Sequence, residues 1–155
     1  MLAPILTSEN VQTVTLAKMS MEIRDKVRKS LIHANMQIVE PKGINISRTL
    51  NEVDAGITLS NFAIAETGTV AEICHQDVDR LTSALPRIHI CLLQCDQILG
   101  ALTESASLLR SAVKTYGKSA ISLISGPSRT ADVELKLVLG VHGPHQVHVV
   151  TYGEE

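Results

Sequence analysis

The apolar positions along the chain switch between two periods, and the switches divide it into elements. From residue 10 to about residue 34, Leu16, Met19, Ile23, Val27 and Leu31 recur three or four residues apart. That spacing predicts an amphipathic helix, with Ser8, Glu9 and Asn10 available as caps. Its other face carries Lys18, Glu22, Arg24, Asp25, Arg28 and Lys29, the mixed-charge pattern of a solvated surface and not the one-sided basic face of a membrane-binding helix. Pro41-Lys42-Gly43 signals a turn. Beyond it, Phe62-Ala63-Ile64-Ala65 and Val70-Ala71-Glu72-Ile73 read as two short strands around the tight turn Glu66-Thr67-Gly68-Thr69. Arg80 to Pro86 reads as a short connection, and Ile88-His89-Ile90-Cys91-Leu92-Leu93 is the continuous apolar run of a strand covered on both faces. Ile98, Leu102, Ala106, Leu109 and Val113 share one helical face, with Gly117 placed to stop the helix. A strand Ala120-Ile121-Ser122-Leu123-Ile124, the loop Ser125-Gly126-Pro127-Ser128, a helix to about Leu139 ended by Gly140, and a last strand over residues 146–151 complete the chain. Alternating strands and helices predict an α/β fold, mainly a parallel sheet with flanking helices.

A length of 155 residues suits a single domain over residues 1–155, large enough to bury a core without disulfides or metals. Hydrophobic residues make up 45% and aromatic residues 2%, so the core falls to Ile, Leu, Val and Ala. Fourteen basic against sixteen acidic residues give a net charge of -2 with no Lys/Arg block, which argues against nucleic acid. The amino terminus lacks the basic start of a secretory signal, and no apolar stretch reaches the roughly 18 residues of a membrane span. The expectation is a cytoplasmic protein with no membrane partner. Cys74, Cys91 and Cys95 lack CxxC spacing, and four residues of strand would hold Cys91 and Cys95 about 13 Å apart. They read as small buried hydrophobes, with no metal or other cofactor on this chain.

Two segments could carry chemistry. Residues 125–132 lie between an expected strand and an expected helix, where free amides and the helix dipole favour an anion. There Gly126 would let the backbone approach a ligand, Ser128 or Thr130 would add a hydroxyl, and Arg129 would offer a bidentate fork for carboxylate or phosphate. The plainer reading is a Ser128 cap with an Asp132–Lys136 surface pair. Glu66, Thr67, Gly68 and Thr69 could present a carboxylate, hydroxyls and amides at a strand end, or simply form a hairpin turn. His142-Gly143-Pro144-His145 and His148 do not assemble a tetrahedral metal site from spacing alone, though His142 could contact a substrate. His33, His75 and His89 read as surface or packing residues.

The string Ser125-Gly126-Pro127-Ser128-Arg129-Thr130-Ala131-Asp132-Val133-Glu134, followed by Gly140-Val141-His142-Gly143-Pro144, resembles the C-terminal signature of LUD-domain proteins similar to lactate utilisation protein C. Ala65-Glu66-Thr67-Gly68-Thr69 and Leu85-Pro86-Arg87-Ile88-His89-Ile90 resemble the same family, in the same order. The likeness covers roughly residues 55–152, while residues 1–51 form a helical region without a defined match. His145 stands where a basic Arg or Lys is common. The resemblance implies a fold similar to the CoA-transferase and ribose-5-phosphate isomerase group, and a role with iron–sulfur partner subunits in oxidising L-lactate to pyruvate. By motif position it also implies substrate contacts from Glu66, Thr67, Gly68, Thr69, Gly126, Ser128, Arg129, Thr130, Asp132, Glu134, His142 and Gly143.

Two functions compete on these grounds. One is a cofactor-free component of an iron–sulfur-dependent lactate or 2-hydroxy-acid oxidation system. The other is a stand-alone enzyme or binding protein for a sugar phosphate, CoA-like or other anionic small molecule. Self-association into a homo-oligomer through the amino-terminal helix is compatible with the composition but not required by it.

Overall fold

The computed structural model describes residues 2–116, 120–131 and 137–153. Its elements are α1 (Ala3–Ser8), β1 (Thr13–Leu16), α2 (Met21–His33), β2 (Gln37–Ile38), α3 (Ile46–Asn51), β3 (Ala55–Leu59), β4 (Phe62–Ile64), β5 (Thr69–Cys74), α4 (Asp77–Ala84), β6 (Ile88–Gln94), β7 (Ile98–Leu99), α5 (Leu102–Tyr116), β8 (Ala120–Ile124), β9 (Arg129–Ala131), β10 (Leu137–Leu139) and β11 (Gln146–Tyr152). The expected α/β architecture is present. Five strands form a wholly parallel sheet in the order β11-β6-β3-β1-β2. A second, mixed sheet runs β7-β4-β5-β8 and packs against the first, and β9 and β10 form an antiparallel ribbon.

Side-chain alternation along β6 explains how the layers join. Ile88, Ile90 and Leu92 enter a core with Leu2 and Leu6 near α1, Val27 and Leu31 of α2, Val14, Ala55 and Ile57. Cys91 and Leu93 instead meet Ala63 of β4 and Val70 of β5, in the layer between the sheets. Phe62, Ile64 and Ala71 turn to the far side of the mixed sheet, where Leu109 of α5 covers them. The helix α4 lies directly on β3 at Gly56. A Cβ there would stand 1.9 Å from the Thr82 carbonyl oxygen, so only glycine allows the contact.

Several sequence expectations change. The helix expected over residues 10–34 is a strand, β1, followed by a shorter helix that begins after Ser20, whose hydroxyl accepts from the Ile23 amide. Parallel pairing with β2 and β3, which buries Val14 and Thr15 together, outweighs the helical spacing that Leu16 shares with Met19. Residues 80–86 are not a bare connection, because most of them belong to α4. Ile98 lies in β7 and not in the following helix. That helix forms as expected, yet Leu102 and Val113 are exposed and Ser105, Leu109 and Ala112 face inward. Its stop, Gly117, lies outside the described residues. The strand over residues 120–124 is real but pairs antiparallel with β5 in the mixed sheet. The loop at residues 125–128 leads into a strand and not the expected helix, since Arg129, Thr130 and Ala131 pair with residues 137–139 across the β9–β10 ribbon, with residues 132–136 lying outside the described residues. Among the described residues no helix is long and apolar enough to cross a membrane.

Candidate functional site

The hairpin β4–β5 and the loop after β8 meet through hydroxyls. Register places Ile64 opposite Thr69 and Val70 opposite Ile124, so the turn and the loop are neighbours at one end of the mixed sheet. Thr67 Oγ1 lies 2.7 Å from Thr69 Oγ1, which lies 2.7 Å from Ser125 Oγ. Gly68 takes φ +60°, the left-handed turn conformation. Glu66 points elsewhere: its Oε2 accepts from the Leu102 amide at 2.8 Å, capping α5 where a carboxylate suits the helix dipole.

Beside this junction a cleft of about 340 Å³ is lined by Ser125, Gly126, Ser128, His142 and Gly143, joined by Arg80 and Ser83 of α4. Ser128 and residues 140–144 are held together by the backbone. The Ser128 amide donates to the Pro144 carbonyl at 2.9 Å, and Gly140 donates to Ser128 at 3.0 Å. These bonds replace the helix amides expected to hold an anion, so the dipole argument for this loop fails. Glu66, Thr67, Gly68 and Thr69 border the junction but do not line the cleft, and neither do Arg129 and Thr130 on β9. The cation on the wall is Arg80, which sequence reasoning missed because it lay in an assumed connection. Asp132 and Glu134 lie outside the described residues.

A second constellation went unread altogether. Alternation along β5 and β6 turns Glu72 and His89 into the layer between the sheets, where Glu72 is 3% and His89 0% exposed. Thr58, from β3, donates its hydroxyl to Glu72 Oε1, and its oxygen lies 2.8 Å from His89 Nε2. His89 Nε2 also lies 3.1 Å from Glu72 Oε1. With the Thr58 proton committed to Glu72, both neighbours of Nε2 are acceptors, so Nε2 carries a hydrogen. Among the described residues, neither Glu72 Oε2 nor His89 Nδ1 has a hydrogen-bond partner within normal distance. Burial raises the Glu72 pKa, but the His89 hydrogen bond and charge, aided by the Thr58 and Ser83 hydroxyls, hold it below the usual glutamate range. The sequence signals were a carboxylate and an imidazole inside otherwise apolar strands.

Cys91 completes a group with Glu72 and His89 whose donor atoms lie within 4.8 Å of one another, the spacing a metal ion would need. Burial and the nearby Glu72 charge push the Cys91 thiol up to about 12. A thiol in that state packs as a small apolar group, and a cation binding there would have to displace its proton.

The model of the LUD domain family matches residues 5–152. This chain belongs to the LUD domain family. The match takes in the amino-terminal region that the sequence motifs left unassigned. Among the LUD domain's relatives, Lactate utilization protein C of Bacillus subtilis (strain 168) is 34% identical over 105 residues, covering 66% of this chain and 44% of that protein. Its counterpart in Shouchella clausii (strain KSM-K16) is 40% identical over 93 residues, covering 59% and 40%. The LUD domain described here therefore matches less than half the length of these relatives. A DUF162 family protein from Deinococcus radiodurans has the same fold, with a TM-score of 0.57 at 20% identity over 96% of this chain and 92% of that one.

Proposed function

We propose that this LUD domain works in lactate utilisation, as a cofactor-free component of an iron–sulfur-dependent system that oxidises L-lactate to pyruvate. The observation that carries the reading is its 34–40% identity to proteins named Lactate utilization protein C. The number of thiols supports placing the clusters on partner chains. The sequence holds three cysteines, Cys74, Cys91 and Cys95, one fewer than the four thiolates that hold a typical cluster. On this reading the chain binds and positions a small organic anion, and electrons leave through the partners.

Genetic replacement tests it. In a strain deleted for its own lactate utilisation protein C but retaining the iron–sulfur partners, the gene encoding this chain should restore growth on L-lactate. A tagged copy should co-purify with proteins showing the visible absorption of iron–sulfur clusters. Absence of both would refute the proposal.

A further inference from the structure

The parallel sheet reverses its direction of growth at β1. The chain adds β2 on one side of β1 and then β3 on the other, giving the order β2-β1-β3-β6-β11. At such a reversal the connections diverge, and open parallel sheets bind ligands there, outside the carboxyl ends of the strands. A cleft of about 210 Å³ opens at that place, lined by Ala17 and Lys18 just beyond β1, Thr58 near the end of β3, and Asn61, Glu72 and Asp79. A second cleft of about 340 Å³ shares Lys18 and Asp79 with it and continues to Glu40 and Lys42 beyond β2. The cleft at Ser125 lies instead against Gly143 and Pro144, which precede β11 at the amino edge of the same sheet.

Two side chains make the first cleft more than a gap. Glu72, almost fully buried, lines it, and one of its carboxylate oxygens has no donor within hydrogen-bonding distance among the described residues, the Ser83 hydroxyl acting on it only from farther off. A buried acceptor in that state is costly until a donor reaches it. Lys18 is exposed on the same wall, and its ammonium group makes no ion pair with any described residue. Its backbone amide donates to Asp79 Oδ1 at 2.9 Å, which ties the Lys18 backbone to α4 at the cleft. A ligand that completes both groups carries a negative charge at one end and a hydroxyl donor at the other.

We infer that this switch-point cleft binds a small 2-hydroxy carboxylate, with the Lys18 ammonium pairing its carboxylate and the Glu72 carboxylate accepting its hydroxyl. The inference rests on the lactate reading for its choice of ligand and on the geometry for its place. The Glu72 carboxylate stays ionised at neutral pH and so acts as an acceptor only. A keto acid would turn lone pairs toward it, and the site selects the hydroxy acid for that reason.

The full-length chain, titrated with L-lactate and with pyruvate by calorimetry and amide NMR, tests the site. Wild type should bind lactate about tenfold or more tightly than pyruvate, the scale of one hydrogen bond to a charged group. Lys18→Met should weaken both acids about tenfold at an unchanged melting temperature. Glu72→Gln should weaken lactate and improve pyruvate, because an amide can donate to the keto oxygen; if that variant fails to fold, Lys18→Met decides. Wild-type affinity in Lys18→Met, or NMR changes confined to Ser125, Gly126, Ser128 and His142, would overturn the inference. So would lactate growth supported by a wild-type chain that binds neither acid, and that result would leave the lactate role standing. Lactate binding abolished by Lys18→Met would uphold the cleft even if the gene failed to restore lactate growth, the failure then falling on the role alone.

Discussion

Glu72 Oε1 and His89 Nε2 lie 3.1 Å apart in the layer between the two sheets, one of them from each sheet. The pair bridges the sheets where the surrounding contacts, Ala63, Val70, Cys91 and Leu93, are apolar. Removing one partner would strand the other in that apolar layer. His89→Leu is therefore expected to cost about 3–5 kcal/mol, while the double variant Glu72→Leu/His89→Leu should cost less than the sum of the two single variants. Denaturant unfolding of the three variants and wild type measures this, and additive losses would show that the two groups are not coupled.

The same pair sets an acid limit. The Glu72 pKa in the folded protein is lowered from its ordinary 4.5, so the unfolded chain takes up the proton first as pH falls. Its contribution to stability is fully present above the ordinary glutamate range and is lost as pH drops through the lower folded value. Melting temperature should fall below about pH 4.5, more gently in Glu72→Gln than in wild type. Equal acid slopes in the two proteins would contradict the assignment.

Asp54 closes the amino edge of the parallel sheet. Its Oδ2 accepts from the Gln12 amide at 2.9 Å and from the Thr13 amide and hydroxyl at 3.0 Å each, and its Oδ1 from Arg87 at 3.2 Å. Arg87 in turn donates to the Glu9 carbonyl at 2.9 Å. Asp54→Ala should cost about 2–3 kcal/mol, because two backbone amides and a hydroxyl lose their acceptor together. A thermal melt checks it, and a loss under about 0.5 kcal/mol would mean that water replaces the carboxylate.

Gly56→Ala tests the α4–β3 contact. The added methyl would meet the Thr82 carbonyl oxygen and the Pro86 ring, so α4 must move. A loss of about 3 kcal/mol or more, or failure to fold, is expected. Since α4 carries Asp79, Ser83 and Arg80, a folded Gly56→Ala protein should also show amide shifts around both clefts.

Thiol labelling separates the cysteines. Cys74 and Cys91 are buried and held protonated, whereas Cys95 is half-buried at the end of β6. Iodoacetamide at pH 8 should modify Cys95 in the native protein and all three cysteines after denaturation, as peptide mass analysis would show. Fast native labelling of Cys91 would mean that the layer between the sheets opens readily.

Much of this molecule is legible along the chain. The apolar run of β6 announces a strand buried on both faces, and the Gly68 turn between two short apolar runs announces the β4–β5 hairpin. The failures share one cause. Leu16 satisfies a helical spacing with Met19 and a strand spacing with Val14, and only pairing with β3 selects between them. Residues 129–131 carry no strong period, and their state is decided by a partner ribbon several residues further on.

The sequence by itself determined the α/β class, the aliphatic core and the family motifs, because these follow from periodicity, composition and residue order within short windows. Tertiary structure decided which sheet each strand joins and where the chemistry gathers. Thr58, Glu72 and His89 are 14 and 17 residues apart in succession and sit on three strands from two sheets. Each looks like an isolated polar residue in an apolar stretch. They meet because β3 and β6 pair in parallel while β5 crosses above them, so that alternation turns all three inward to one point, and no local pattern encodes which strands will be stacked.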